Sequence, residues 1–113
     1  MSPASVATWP PADAAPLFAA LGDEKRLALL NRLGGGGVLS IAELASGSAV
    51  TRQAITKHLR VLAGAGLVRD QRRGREHVWE LKIQRVEDAR RYLDQISQQW
   101  DDALARLKQF VEE

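Results

Sequence analysis

Leucine-rich stretches with helical spacing alternate with short glycine- or serine-containing breaks over the first 64 residues. A first helix begins near Asp13, with Pro16 in its first turn or at a break. A second helix runs from an Asp23 cap to about Leu33. Gly34–Gly37 end it, and because no Lys-Ser/Thr pair follows, a helix terminator is favoured over a phosphate-binding loop. The apolar faces of these helices are Leu17, Phe18 and Leu21 in the first and Leu27, Leu30 and Leu33 in the second.

A short helix, a turn and a longer helix follow. Ser40 and Glu43 have the spacing of a capping box and open the short helix, after a very short strand at 38–39. Thr51 is a suitable N-cap for the longer helix, which we place at 52–63. This order of elements predicts a helix-turn-helix over residues 40–64.

The last part of the chain changes from a strand pattern to a helical one. Strand-like runs at 67–71 and 76–81 flank the tip Arg72–Arg75, whose glycine allows a hairpin turn, so that residues 67–81 form a wing. The helical pattern of residues 85–113 contains no Gly or Pro. Its apolar stripe is longer than so small a core can cover and consists of Leu93, Ile96, Trp100, Leu104, Leu107 and Val111.

The elements predict one mostly α-helical domain with a small β-hairpin. A chain of 113 residues has room for a single core, which we assign to residues 12–113 after a flexible, proline-containing arm at 1–11. No apolar run approaches the roughly 18 residues of a membrane span, and the start lacks the features of a secretory signal. The absence of cysteine excludes disulfides and thiolate chemistry. We therefore expect a cytoplasmic protein.

Positive charge is concentrated in one segment. The net charge of the chain is only +2, but residues 51–75 carry +6, whereas 1–50 carry −1 and 76–113 carry −3. Such a concentration is typical of a phosphate-binding surface, although a basic solvated face is the simpler alternative. The seven basic residues of the segment are Arg52, Lys57, Arg60, Arg69, Arg72, Arg73 and Arg75.

Helix 52–63 has an apolar face and a polar face. Ile55, Leu59 and Leu62 recur at core spacing. Polar groups near the start of a helix in the major groove reach base edges, where Arg52 can bind guanine and Gln53 adenine. Lys57, Arg60 and the arginines of the hairpin tip suit contacts with phosphates, and the tip also suits a minor groove. The residues predicted to contact DNA are Thr51, Arg52, Gln53, Thr56, Lys57 and Arg60 on the helix, and Arg72, Arg73 and Arg75 at the hairpin tip.

Five segments resemble the ArsR (arsenical-resistance repressor) family of winged-helix regulators: LFAALGDEKRLALLNRL, SIAELA, VTRQAITKHLRVLAGAGLV, RRGREHVWEL and WDDALARLKQFVEE. They cover roughly residues 16–113. The resemblance implies a homodimeric prokaryotic repressor that binds an inverted-repeat operator, usually of its own operon. It also implies a dimer interface on the first and last helices. The residues that match it are Leu17, Phe18 and Leu21 together with the stripe Leu93, Ile96, Trp100, Leu104, Leu107 and Val111.

The sequence departs from the metal-sensing members of that family. Their metal ligands are cysteines on the first helix of the helix-turn-helix, or carboxylates and histidines on the last helix. Here the first of these segments is SIAELASGS and no histidine follows His77. His58 and His77 are interpreted as packed, hydrogen-bonded side chains. We therefore predict no metal and no cofactor, and leave open an unknown small-molecule or protein effector.

Two other classes of function, a protein-interaction module and an enzyme, compete with DNA binding. A protein-interaction module would use the long apolar stripe for a different partner, with the basic segment incidental. An enzyme is disfavoured because no motif places paired carboxylates in a pocket and the serines lack a base and an orienting acid. The prediction is a sequence-specific DNA-binding repressor rather than an enzyme.

Overall fold

The fold joins five helices and three short strands. The computed structural model describes residues 9–112 of the chain. Mostly helical with one small antiparallel sheet, this is the predicted winged helix-turn-helix architecture, and the predicted fold class is confirmed. In chain order the elements are α1 (Pro11–Leu21), α2 (Glu24–Gly36), β1 (Leu39–Ser40), α3 (Ile41–Ala45), α4 (Arg52–Gly64), β2 (Val68–Arg73), β3 (Glu76–Leu81) and α5 (Ile83–Glu112).

Three helices begin at the caps that the sequence predicts. Asp23 accepts the backbone N–H of Arg26 at 3.0 Å, and this bond is the main reason that the pKa of its carboxyl lies below the ordinary value. Ser40 and Glu43 form a reciprocal capping box, at 3.1 and 2.9 Å. Thr51 accepts from the backbone N–H of Ala54 at 3.1 Å. Each cap satisfies a donor that the first turn of a helix leaves free.

The predicted arm at 1–11 ends earlier than expected. Residues 1–8 lie outside the described residues, but Pro11 is the first residue of α1, where its fixed φ suits a helix start. Trp9 is half-buried, with its ring 6.3 Å from that of Tyr92 and the Arg85 guanidinium 5.2 Å from its centroid. Pro16 lies inside α1 rather than in its first turn. Of the predicted arm, Pro11 already belongs to α1, and residues 9 and 10 come directly before that helix.

Helix α2 differs from its predicted length and face. It continues through three glycines to Gly36, and Gly37, with φ +74°, ends it by donating to the Leu33 carbonyl at 3.2 Å. Leu29 and Leu33 are buried in the core, whereas Leu27 is 46% exposed. The apolar face is thus rotated away from Leu27, because α2 packs against α4 and β3 on its Leu29–Leu33 side.

The sheet has the order β1-β3-β2, with both neighbouring pairs antiparallel. The short strand β1 adds a third strand to the predicted hairpin by pairing Leu39 with Trp79. On the other side of β3, the register runs from Val68 opposite Leu81 to Arg73 opposite Glu76. The hairpin is therefore anchored at its base to the core and projects at its tip.

The core lies where α4 meets α2, α3 and the base of the sheet. Leu59, Leu62 and Leu67 are fully buried, and Trp79 is nearly so. Ile55, Leu59 and Leu62 are all buried, which agrees with the predicted inward face of α4. Ala89 is the one buried residue of α5, so that helix covers the core only near its start.

A glycine after α4 holds a backbone conformation that other residues adopt at a cost. Gly66 has φ +79°, and a Cβ built there would lie 3.1 Å from Arg85 Cγ. We expect Gly66→Ala to lower the free energy of unfolding by about 1–2 kcal/mol, measured by urea denaturation. The matched control is Gly34→Ala, inside α2, where a Cβ meets Leu81 at 3.9 Å and helix propensity should rise. Equal effects of the two substitutions would contradict the backbone argument.

Candidate nucleic-acid interface

The outer face of α4 is exposed because its inner face is fixed in the core. With Leu59 and Leu62 inaccessible to solvent, the opposite side of the helix faces outwards. The exposed residues of this face include four of the predicted DNA contacts, Arg52, Gln53, Lys57 and Arg60. The first two occupy the first turn, and the other two follow one and two turns later.

The two threonines predicted to contact DNA have hydroxyls already engaged within α4. Thr51 is the N-cap and accepts from Ala54, and Thr56 Oγ1 donates to the Arg52 carbonyl at 2.9 Å. Thr56 retains acceptor lone pairs while this bond holds, whereas its proton is used. These two hydrogen bonds fix both side chains. While they hold, each hydroxyl has fewer free hydrogen-bonding groups for DNA than the sequence alone suggests.

The hairpin tip presents three arginines. Arg72, Arg73 and Arg75 are exposed around a two-residue loop. Gly74, with φ +61°, supplies the positive dihedral that a type II′ turn requires at its first loop position. The tip is narrow and strongly basic.

Six cations of the segment 51–75 form no ion pair with any residue in the described part of the chain: Arg52, Lys57, Arg60, Arg72, Arg73 and Arg75. Arg69 is the exception, because its guanidinium donates to Glu80 across the hairpin. From the sequence alone, Arg69 is one of the seven basic residues of the segment. Its pairing with the adjacent strand removes it from the free positive charge.

An ion pair joins the two strands of the hairpin, between Asp70 in the middle of β2 and His77 near the start of β3. His77 Nε2 donates to the Asp70 carboxylate, and this hydrogen bond is the main reason that the pKa of Asp70 lies below its ordinary value. The nearby positive charge of Arg60 lowers it further. The His77 ring stacks on Trp79, 5.4 Å between centroids. Among the described residues, the ion-pair partner of Asp70 is therefore His77 and not an arginine of the tip.

An arginine that the sequence analysis did not select fixes α3. The Arg32 guanidinium donates to the carbonyls of Glu43 and Leu44, each at 3.0 Å, and so satisfies acceptors at the end of that helix. Helical periodicity does not predict this contact, because Arg32 and its two acceptors lie on different helices, 11 and 12 residues apart in sequence. It ties the first helix of the helix-turn-helix to α2.

The residues predicted to form the dimer interface differ in how far the single chain exposes them. Leu17 is 4% exposed and belongs to the core of its own subunit, so it offers little surface to a partner. Phe18 and Leu21 are half-buried, and the Phe18 ring lies 5.6 Å from that of Tyr92. Ile96 is half-buried, and the rest of the α5 stripe is exposed, from 53% at Leu93 to 73% at Val111. The pattern missed Phe110, which is 78% exposed beside Val111.

Within residues 9–112, no three His, Cys, Asp or Glu side chains lie close enough to hold a metal ion together. Over the same residues, no helix combines the length and apolar character needed to cross a membrane.

Fold and surface together define a winged helix-turn-helix DNA-binding protein, and comparison with known proteins agrees. A helix-turn-helix domain family matches residues 21–71. The HTH-type transcriptional regulator Rv2034 of Mycobacterium tuberculosis is 36% identical over 93 residues, which cover 82% of this chain and 83% of that protein. The solved structure of an ArsR-like transcriptional regulator from Rhodococcus sp. RHA1 is 39% identical, covers 90% of this chain and 93% of that one, and superimposes with a TM-score of 0.83.

A further structure shares the fold alone. It is the homodimeric winged helix-turn-helix domain Mb0332 of Mycobacterium bovis, 22% identical, with 84% of each chain covered and a TM-score of 0.60. From the closer relatives, the chain belongs to the ArsR family of winged-helix transcriptional regulators. It is a DNA-binding transcriptional regulator.

Proposed function

We propose that this regulator is a repressor that binds an inverted-repeat operator as a homodimer, with α4 in the major groove and the hairpin tip on the flanking backbone. The observation that carries the proposal is the set of unpaired cations on the outer face of α4 and at the tip. Free cations on two neighbouring elements are suited to neutralise phosphates on either side of a groove.

The homodimer is supported by the exposed stripe of α5. Trp100, Leu104, Leu107, Phe110 and Val111 are all more than half exposed in the single chain. A second copy would cover this apolar surface through a self-complementary contact. Two-fold symmetry then presents two α4 helices to one face of the duplex about 34 Å apart, the spacing of successive major grooves. A palindromic operator follows from that symmetry.

The test is fluorescence anisotropy with DNA from upstream of the protein's own gene, with scrambled DNA as control, across a salt series. We expect selective binding that weakens steeply as salt rises. In vitro transcription from the same fragment separates repression from activation, since a repressor lowers the transcript in proportion to occupancy. Equal, weak binding to both DNAs, in the presence of a folded dimer, would contradict sequence-specific recognition of this site.

Arg52 is expected to specify base sequence. Arg52→Ala should weaken operator binding by roughly 1–3 kcal/mol per contacted base pair and relax the preference at that position. Binding of a library of operators with single substitutions measures both effects. Arg106→Ala, which removes an exposed cation from α5, serves as the charge-matched control. If Arg52→Ala is as selective as the parent protein, α4 does not read bases through this residue.

Arg75 is expected to bind phosphate without reading sequence. Arg75→Ala should weaken binding to all DNA sequences alike and reduce the slope of log K against log salt by about 1 for each subunit. The slope is measured on operator and scrambled DNA between 50 and 200 mM salt, about the range where the effect is large. An unchanged slope would remove the tip from the contact surface.

A further inference from the structure

A cavity lies behind the recognition surface, between α2, α3 and α4. Its volume is about 170 Å³. Five of its nine lining residues are apolar: Ala28, Leu29, Leu44, Val50 and Ile55. Leu29, Leu44 and Ile55 belong to the core, so this part of the wall is fixed by packing. No residue of α5 lines it, which separates the cavity from the proposed dimer contact.

Three of the four polar residues that line the cavity have basic side chains. Lys25, Arg32 and His58 line it together with Ser48, and none of the lining residues is acidic. Lys25 forms no ion pair within residues 9–112. Arg32 uses two of its nitrogens on the carbonyls of α3 and keeps its full charge.

One carboxylate lies nearby. Asp23 Oδ2 is 3.9 Å from His58 Nδ1, while its acceptor capacity is partly used by the Arg26 backbone N–H. Asp23 itself does not line the cavity. The cavity is therefore bordered by two cationic residues and by no carboxylate, and an anionic group of a ligand would be attracted to Lys25 and Arg32.

From this combination we propose that the cavity binds a small amphipathic carboxylate, with a compact apolar body between Leu29, Leu44 and Ile55 and its anionic end toward Lys25 and Arg32. The size fits one ring or a short branched chain, since an apolar protein cavity of about 150 Å³ accommodates benzene. Apolar walls with a few convergent polar groups are typical of sites for such molecules.

The position of the cavity gives the ligand a means of acting on DNA binding. Ile55 and His58 come from α4, and Ser48 and Val50 from the turn that precedes it. A ligand there contacts the inner side of the element whose outer side carries Arg52 and Lys57. This regulatory consequence rests on the proposed function, whereas binding of the ligand does not. Ligand and DNA must then change each other's affinity by the same factor.

The test uses two-dimensional ¹⁵N NMR titration of the full chain without DNA, with benzoate as the probe. We expect saturable shifts at the amides of Ala28, Ser48 and Val50. Toluene, which lacks the charge, and benzylamine, which reverses it, should bind at least about tenfold more weakly. Cyclohexanecarboxylate and 3-methylbutanoate extend the test to other apolar bodies. Failure of all three carboxylates to give saturable shifts at these amides would overturn the proposal.

Two exposed residues allow variants that leave the core intact. Ala28→Leu places a larger side chain at the cavity and should abolish the benzoate shifts, whereas Ala105→Leu on α5 should not change them. Lys25→Gln should weaken benzoate binding by about tenfold but leave toluene binding unchanged. Unchanged benzoate affinity in Ala28→Leu would place the ligand elsewhere and contradict the site. Because the titration contains no DNA, it tests ligand binding alone. Ligand binding and operator binding can therefore each fail while the other succeeds.

Discussion

Leu104→Asp is expected to turn the protein into a monomer. Leu104 is 63% exposed on the outer half of α5, within the stripe that we propose to form the dimer contact. A self-complementary interface contains each substitution twice, so two carboxylates lose water and two leucines lose apolar contact. A loss of roughly 4–6 kcal/mol corresponds to an increase of about three to four orders of magnitude in the dimer dissociation constant. Sedimentation equilibrium measures it directly.

The matched control is Gln109→Asp, which adds the same charge on the opposite side of α5. It should leave the association unchanged. Operator affinity should fall with Leu104→Asp and persist with Gln109→Asp, since only the dimer presents two α4 helices at once. A parent chain that sediments as a monomer would contradict the homodimer, and a Leu104→Asp variant that remains a dimer would place the dimer interface elsewhere. In both cases a different protein becomes the expected partner of the stripe.

Leu59→Ala is expected to lower the free energy of unfolding by roughly 2–5 kcal/mol. The Leu59 side chain is fully buried on the inner face of α4, where that helix meets the rest of the core. Shortening it removes apolar contacts and leaves a cavity that rigid neighbours fill only in part. Such a loss is a large share of the total stability of a small domain, about 5–15 kcal/mol. Urea denaturation followed by circular dichroism measures the change.

Val61→Ala supplies the comparison for that substitution on the same helix. Val61 is 44% exposed, so its truncation should change stability by no more than about 0.5 kcal/mol. Both variants retain the basic face, and at temperatures where Leu59→Ala is folded its operator affinity should match that of the parent. A loss of affinity in the fully folded Leu59→Ala protein would show that core packing positions the contacts of α4.

The helix-turn-helix could be predicted from the sequence because its signals are local. A cap depends on residues three apart, as in Ser40 with Glu43 and Thr51 with Ala54. The inward face of α4 depends on residues three and four apart. These distances are set by helix geometry alone, and no other part of the chain alters them.

The sequence predicts less well those features that are determined by packing between segments far apart in the chain. Leu27 and Leu29 fit helical periodicity equally well, and the contacts of α2 with α4 and β3 select Leu29. Gly34 and Gly35 disfavour a helix by propensity, yet α2 continues through them. Leu17 belonged to an apolar face with no indication of whether its own chain or a partner covers it. In each case tertiary packing outweighs the local preference.

The basic surface was predicted as a set of residues but not as a set of free charges. Arg69 has the same composition signal as Arg72, and only the strand register shows that Glu80 lies opposite it. The pairing of Asp70 with His77 likewise requires the register of two strands. The cavity between α2, α3 and α4 has no sequence signal at all, because three separate helices form it.

The outer half of α5 contributes no buried residue to its own subunit. Substitutions at Trp100, Leu104 or Phe110 therefore leave the fold of the subunit and the face of α4 unaltered. In the proposed function, partner choice and operator choice depend on separate segments, so we expect each to diverge during evolution without the other. In a cell with several related regulators, we expect a few changes near the end of this helix to keep their subunits from mixing.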